Sequence, residues 1–384
     1  MSALDTETVS LDDAIGRVLR QSVHAERDQP PFDRVMMDGI AIRFEDFHGG
    51  TRAFPIQSTQ HAGDTVQALG AGQCIEIMTG ASLPDSADCI VPVERISVTD
   101  DVAEIEANYE AEVRQFIHAR GSDHREGTEL LRPGTRISPM DIAIIASAGL
   151  PEIEVSQSPT IRVISTGNEL VAAGDKIEPH QIRMSNGPAV IAMLSQHGYT
   201  DCRHDHIVDD RDLLREHIQY HLESANVMIL SGGVSMGKAD FVPQVLADLG
   251  VEVVFHKISQ RPGKPMWFGI GPNNQAVFAL PGNPVSTLVC CRQYVIPALA
   301  KASAATPKNP DFATLTQDVT FHPQLTCFLP TKLVSNAAGT TLAMPVHTNT
   351  SGDFASLTGT DGYLELAMGA TTIKTGTTVP LHRW

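Results

Sequence analysis

The 384-residue sequence has no apolar run approaching the ~20 residues that a helix needs to span a bilayer, so no transmembrane segment is expected. Its first residues, MSALDTETVSLDDAIGRVL, have neither the basic n-region nor the apolar h-region of a secretory signal, and a cytoplasmic protein is expected. An excess of basic charge is also missing. Lys and Arg number 28 against 45 Asp and Glu, for a formal charge of −17. That balance excludes general binding to nucleic acid or to an anionic membrane, both of which need a basic surface. Cysteine pairs of the CxxC kind are absent as well. Of the six cysteines, Cys290 and Cys291 are adjacent within the apolar VSTLVCCRQYV and read as buried free thiols. The glycine loops match neither GxxxxGK[ST] nor GxGxxG, which removes the P-loop and dinucleotide readings. HIQYH lacks the glutamate of a zinc-protease helix. Cys202, His204 and His206 alternate, and His217 and His221 are four apart, but neither set has a matching third and fourth metal ligand.

What is present is a set of apolar runs that end in glycine and proline. Val227 to Leu230 runs into SGGVSMGKADF, with Ser231, Gly232, Gly233 and Ser235 in the loop and Lys238 and Asp240 near its end. IRVIS leads into TGNEL, which carries Glu169. VEVVFHKI, which carries Lys257, leads into SQRPGKP with Arg261 and Lys264. AVFAL leads into PGNPVS with Pro281 and Pro284. Continuous apolar runs are characteristic of strands buried on both faces, as in parallel sheets. In open α/β sheets ligands bind beyond the carboxyl ends of the strands, so all four loops are expected to converge on one crevice. Free N–H groups in such loops cradle anions, carboxylates hold a divalent metal and ammonium groups hold phosphate. The plainer reading of each loop is a tight turn whose glycines serve geometry alone, and of RPGKP a turn with surface cations.

A chain of this length is expected to form several domains. SLDDAIGRVL reads as a capped amphipathic helix with Ser10 as N-cap. The segment from about residue 44 to 117 has short alternating runs and many turns, so it reads as a β-rich domain. SPMDIA has the Ser-Pro start of a helix. Strands and helices alternate from about 159 to 302, as in a doubly wound domain, and the Thr- and Gly-rich remainder reads as a small β domain. The expected architecture is multidomain α/β and β. A linking α/β domain takes residues 1–28 and 120–157, with a β-rich domain (29–119) inserted in it. A doubly wound α/β domain (158–304) and a C-terminal β domain (305–384) follow.

Eight segments, in order, then carry a resemblance: PPFDRVMMDGIAI, IEIMTGASLPDSADCIVPVE, RGSDHREGTELLRPGT, STGNEL, MSNGP, LSGGVSMGKADF, RPGKP and LPGNPVS. Together they closely resemble the molybdopterin molybdenumtransferase family, of MoeA and gephyrin E-domain type, over nearly the whole chain. The resemblance makes the central α/β domain MogA-like. It implies insertion of molybdate into adenylylated molybdopterin with Mg²⁺-dependent release of AMP. By position in the family motifs, the resemblance assigns catalytic roles to Asp38, Thr79, Asp123, Glu169, Asp209 and Asp240. Glu169, Asp209 and Asp240 are its implied metal ligands. Glu94 falls on a further acid of the inserted domain, Lys257, Arg261 and Lys264 match a basic trio, and Pro281 and Pro284 match a proline pair. Residues Ser231, Gly232, Gly233, Ser235 and Lys238 fall in the substrate-binding loop. A homodimer with a composite site is also implied, with a MogA-like adenylyltransferase as a further partner.

Some positions depart from the pattern. Val35 stands where a serine is usual, Lys238 where an acid is common, and Arg261 where a lysine is found. HPQLTCFLPTKL lacks the arginines of the family's C-terminal segment. Two alternatives stay open: a non-catalytic pterin-binding scaffold of the same pathway, and a MogA-like molybdopterin adenylyltransferase.

Overall fold

The computed structural model describes residues 2–233, 241–322, 324–369 and 371–384. The chain forms two compact units. One comprises Met1–Gln21, Pro133–Ser138 and Glu152–Trp384; the other comprises Ser22–Arg132 and Pro139–Pro151.

The α/β layer of the first unit has strands β1 (Ile161–Thr166), β2 (Cys202–Ile207), β3 (Val227–Ser231), β4 (Glu252–His256), β5 (Trp267–Ile270) and β6 (Ala276–Leu280). They lie in the order β2-β1-β3-β6-β5-β4. The first four strands in that order are parallel; β5 is antiparallel to β6, and β4 to β5. Helices α1 (Asn186–Gln196), α2 (Arg211–Ser224), α3 (Val242–Asp248), α4 (Pro284–Cys290) and α5 (Ile296–Ala302) cover it. Alternate side chains of the inner strands go to opposite faces. Val163, Ile229 and Phe278 pack with Val190 of α1, Cys290 of α4 and Leu299 of α5. Ile164, Leu230 and Ala279 pack with Leu214 of α2 and Val245 of α3. Both faces are therefore dry, which is why β1, β3 and β6 read as unbroken apolar runs.

Two expectations are corrected here. VEVVFHKI is not a buried parallel strand. β4 is the antiparallel edge of the sheet, with Val253 and Val254 more than half exposed and a register shift between Val253 and Phe255. β5, a four-residue strand that contains Gly269, lies between it and β6. SLDDAIGRVL is not a helix either. Thr6–Ser10 is a strand paired antiparallel with Glu152–Ser156, and Leu11–Asp13 is one 3₁₀ turn. Ser10 Oγ donates to Asp13 Oδ2 instead of capping, and Gly16 turns the chain at φ +75°. Val18 and Leu19 then bridge to Arg136 and Val155 and are buried. A strand partner far along the chain outweighs a local helical pattern.

The same unit ends in strands β7 (Asp311–Leu315), β8 (Thr326–Ser335), β9 (Thr341–Pro345), β10 (Gly362–Leu366) and β11 (Thr378–Arg383). The sheet order is Gln260–Arg261, β8, β9, β7, β11, β10, and β10 pairs back onto β8. This closes the barrel and leaves no open edge among these five strands. The short strand Gln260–Arg261 joins β8 in parallel, so the RPGKP loop starts on the barrel.

In the second unit a six-stranded sheet runs in the order Cys89–Pro92, Gly39–Ile42, Cys74–Ile77, Ala53–Gln60, Val102–Ile105, Ile96–Thr99. Ile40, Cys74 and Val91 face one core; Ala41, Ile75 and Ile90 face another. Val35 belongs to the second core and is 1% exposed. The valine at this position therefore serves packing in that core. No described helix is long and apolar enough to cross a membrane.

Candidate anion-binding site

At the carboxyl edge of the α/β sheet, three loops and one helix start come together. Asn186, the first residue of α1, donates from Nδ2 to Ser231 Oγ (2.9 Å) after β3 and to the Gly282 carbonyl (2.7 Å) after β6. Gly232, at φ +103°, runs so close to β1 that a Cβ there would lie 2.6 Å from the Thr166 carbonyl. Gly233, at φ +65°, presses on Thr166 and Val242 in the same way. Only glycine combines that backbone with that approach. Thr166 Oγ1 is buried and has no hydrogen-bond partner among the described residues. Asn168 Oδ1 accepts from the Asp209 amide (3.0 Å) and so joins the loop after β1 to the loop after β2. The Glu169 carboxylate folds back over Gly167, within 2.7 and 2.9 Å of where a Cβ would stand. Ser235, Lys238 and Asp240 lie outside the described residues.

The histidines of β2 make local bonds. His204 Nε2 is 2.9 Å from Ser165 Oγ, and His206 Nε2 is 2.8 Å from the Gly167 carbonyl. Burial lowers the pKa of His204, which keeps it neutral at pH 7. Among the described residues no cluster of three or more His, Cys, Asp or Glu is arranged to hold a metal.

Beside these loops lies a cavity of about 470 Å³. Arg261 and Lys264 line one wall, Pro281, Asn283 and Ser286 a second, and the barrel supplies Phe328, His347, Thr350 and Ser351. The wall from β8 carries Cys327, Phe328, Leu329 and Pro330, without an arginine. Asn283 Nδ2 donates to Ser351 Oγ (2.7 Å), and the Val285 amide to the Ser351 carbonyl (3.0 Å), which pins the barrel loop to the start of α4. Pro284 begins that helix, where its missing N–H costs nothing. The RPGKP loop is closed by backbone bonds from Lys257 N to Met266 O and from Ile258 N to Lys264 O, both 2.9 Å. Of the residues expected in one crevice, Arg261, Lys264 and Pro281 line this cavity. Glu169, Asp209, Ser231, Gly232, Gly233, Lys257 and Pro284 are not among its described lining residues, so among the described residues only two of the four expected loops reach this cavity. Asn186, Asn283 and Ser351 were not singled out from the sequence. The first sits in MSNGP, but the last has no motif around it.

Asp38, Thr79, Glu94 and Asp123 belong to the second unit. Asp38 Oδ1 accepts from Thr79 N (2.6 Å) and Thr79 Oγ1 (2.8 Å), and these bonds lower its pKa. Glu94 is exposed in a 3₁₀ turn, and Asp123 Oδ1 lies 3.0 Å from His118 Nε2.

Residues 1–149 match the MoeA N-terminal region (domain I and II), residues 162–301 a probable molybdopterin binding domain, and residues 313–384 the MoeA C-terminal region (domain IV). The molybdopterin molybdenumtransferase of Synechocystis sp. is 37% identical over 98% of this chain and 95% of its own. The chain belongs to the MoeA family of molybdopterin molybdenumtransferases. The Bacillus subtilis molybdopterin molybdenumtransferase is 31% identical over 98% of this chain and 89% of its own. A crystal structure of the molybdopterin biosynthesis MoeA protein from Pyrococcus horikoshii superposes with a TM-score of 0.81 at 28% identity, covering 100% of this chain and 95% of that one. The MoeA match over all three regions confirms the multidomain α/β and β architecture expected from the sequence.

Proposed function

We propose that this MoeA-family transferase acts in molybdenum cofactor biosynthesis by inserting molybdate into adenylylated molybdopterin and releasing AMP. The observation that carries the reading is the cavity where Arg261 and Lys264 face the neutral donors Asn283, Ser286, Thr350 and Ser351. Two cations in a chain of charge −17 select an anion, and hydroxyl and amide donors suit a small oxyanion. The adjoining glycine loops, held by Asn186, present backbone to the nucleotide phosphates. Asn186 bonds to the loops after β3 and β6, and Gly232 and Gly233 lie tight against Thr166, so little reorganisation accompanies binding.

Mg²⁺ fits the donors present. Glu169 and Asp209 supply hard carboxylate oxygens on loops that Asn168 ties together, and Asp240 supplies a third by sequence. Mg²⁺ needs only one or two protein carboxylates beside substrate phosphates and water. When bound, it would polarise the phosphoryl group that is cleaved. The chain's own part is to hold the phosphates with Arg261, Lys264 and loop amides while the cavity shelters the oxyanion.

Asp38, Thr79 and Glu94 are proposed to act in a homodimer, as a second contribution to the site of a partner copy, and Asp123 is proposed as a further catalytic acid. A monomer at micromolar concentration with full activity, measured by light scattering and turnover, argues against that part. The flanking MoeA regions disfavour a stand-alone adenylyltransferase, although such an enzyme remains the proposed source of the substrate. The arginine-free β8 wall favours one alternative, a pterin-binding scaffold without turnover. AMP release in the presence of molybdate and Mg²⁺ separates the two. Asp240→Asn should lower that rate on the order of a hundredfold or more, since an amide ligates Mg²⁺ weakly. An unchanged rate at saturating Mg²⁺ would shift the metal role to Glu169 and Asp209.

A further inference from the structure

One helical turn reaches both walls of the cavity. Between α4 and α5 the chain forms a single turn of π-helix, Cys291–Val295. Widened turns of this kind are uncommon and cluster at functional sites. Three successive side chains of the turn leave it in useful directions. Arg292 Nε donates to the Arg383 carbonyl (2.6 Å) at the end of β11. Gln293 Oε1 accepts from Tyr363 Oη (2.8 Å) on β10. Tyr294 Oη donates to Gln260 Oε1.

The last two bonds lead to the cavity. Tyr363 is fully buried and packs edge-on against Phe328, ring centroids 5.5 Å apart, and Phe328 lines the barrel wall. Gln260 is 1% exposed and immediately precedes Arg261. Its Nε2 donates to the Pro262 carbonyl (2.9 Å) and to Cys290 Sγ (3.4 Å). Gly263, at φ +92°, lies so tightly against this amide that a Cβ would collide with Cys290 Sγ and sit 2.6 Å from Gln260 Nε2. The loop carrying the two cations is therefore seated on one buried amide. That amide's oxygen is satisfied by Tyr294.

We infer that Tyr294 is a positioning residue for the anion site: through Gln260 it fixes the loop that presents Arg261 and Lys264, while Gln293 of the same turn registers the barrel wall opposite. This rests on the cavity reading given above. An unsatisfied buried acceptor loosens what it seats, so removing one hydroxyl moves the cations without touching them.

The test uses Tyr294→Phe, Lys264→Ala and the double variant in the full chain. Sodium molybdate and pyrophosphate, separately, are titrated by calorimetry at low and high salt, and the thermal midpoint is recorded. Wild type is expected to bind at least one oxyanion, Tyr294→Phe about tenfold more weakly. In the Lys264→Ala background the same substitution should cost clearly less, because its effect passes through that cation. A lowered thermal midpoint with unchanged wild-type affinity, or fully additive losses, would overturn the inference and leave Tyr294 a structural residue. A wild type that binds neither oxyanion would instead remove the cavity reading, and the inference with it.

Discussion

The loop that carries Arg261 and Lys264 and the patch that carries Asp38 hold their charges in opposite ways. The loop is braced from beneath, by buried Gln260, by Cys290 and by a glycine with no room for a Cβ. Asp38 is held at the surface by two bonds from one neighbour, Thr79. Cations that must meet an anion at fixed geometry need a support that cannot relax. A surface carboxylate needs only to stay ionised, and two local donors achieve that.

Glycine substitutions give the largest separation. Gly263 (φ +92°) and Gly63 (φ +91°) share a backbone conformation, but only Gly63 has open space around it. Gly263→Ala adds a core collision to backbone strain and should destabilise by about 3 kcal/mol. In a unit of this size that corresponds to a melting temperature lower by about 6–12 °C. Gly63→Ala should cost about 1 kcal/mol. Equal shifts in the two variants would mean that the loop is not braced by packing.

Lys264→Ala comes next. A charge-assisted bond contributes roughly 1.5–3 kcal/mol, so an anionic ligand should bind ten- to hundredfold more weakly at low salt, with a smaller loss at high salt. If Lys238 makes the phosphate contact instead, Lys264→Ala will be mild and Lys238→Ala severe. Calorimetric affinities of both variants decide between them.

The smallest effect belongs to Thr79→Val. It removes the hydroxyl bond to Asp38 and leaves the Thr79 amide bond in place. The Asp38 pKa, now depressed by the amide first and the hydroxyl second, should rise part of the way to the ordinary carboxylate value. A depressed carboxylate favours the folded state above its unfolded pKa, and that contribution fades as pH falls through the folded value. Solvent screening makes it small here, so acid stability should scarcely change while the carboxyl titration seen by NMR moves upward. An unmoved titration would show that the hydroxyl does not hold Asp38.

The sequence announced β1, β3 and β6 because both of their faces are dry. It misled where the deciding partner is remote. Thr6–Ser10 is a strand because Glu152–Ser156 pairs with it, and β4 is an antiparallel edge strand because it pairs with Trp267–Ile270, which separates it from β6. In the candidate site, Arg261 and Lys264 stood out by residue type and turn chemistry, and Pro281 by the resemblance that LPGNPVS carries. Ser351 did not, because its place on the cavity wall comes from barrel closure. The π turn left one local mark: VSTLVCCRQYVIPALAKA reads as a single helix, but Pro297 just after the turn has no N–H to continue the i→i−4 ladder. The bonds that the turn directs to Gln260 and Tyr363 have no such local signal.

The most direct measurement of the central claim is AMP release from adenylylated molybdopterin, followed with and without molybdate and Mg²⁺. The cavity beside the glycine loops predicts stoichiometric AMP release that requires both ions and falls in Lys264→Ala as substrate binding weakens. Tight binding of the adenylylated pterin by the wild type with no AMP release under any of these conditions would contradict it.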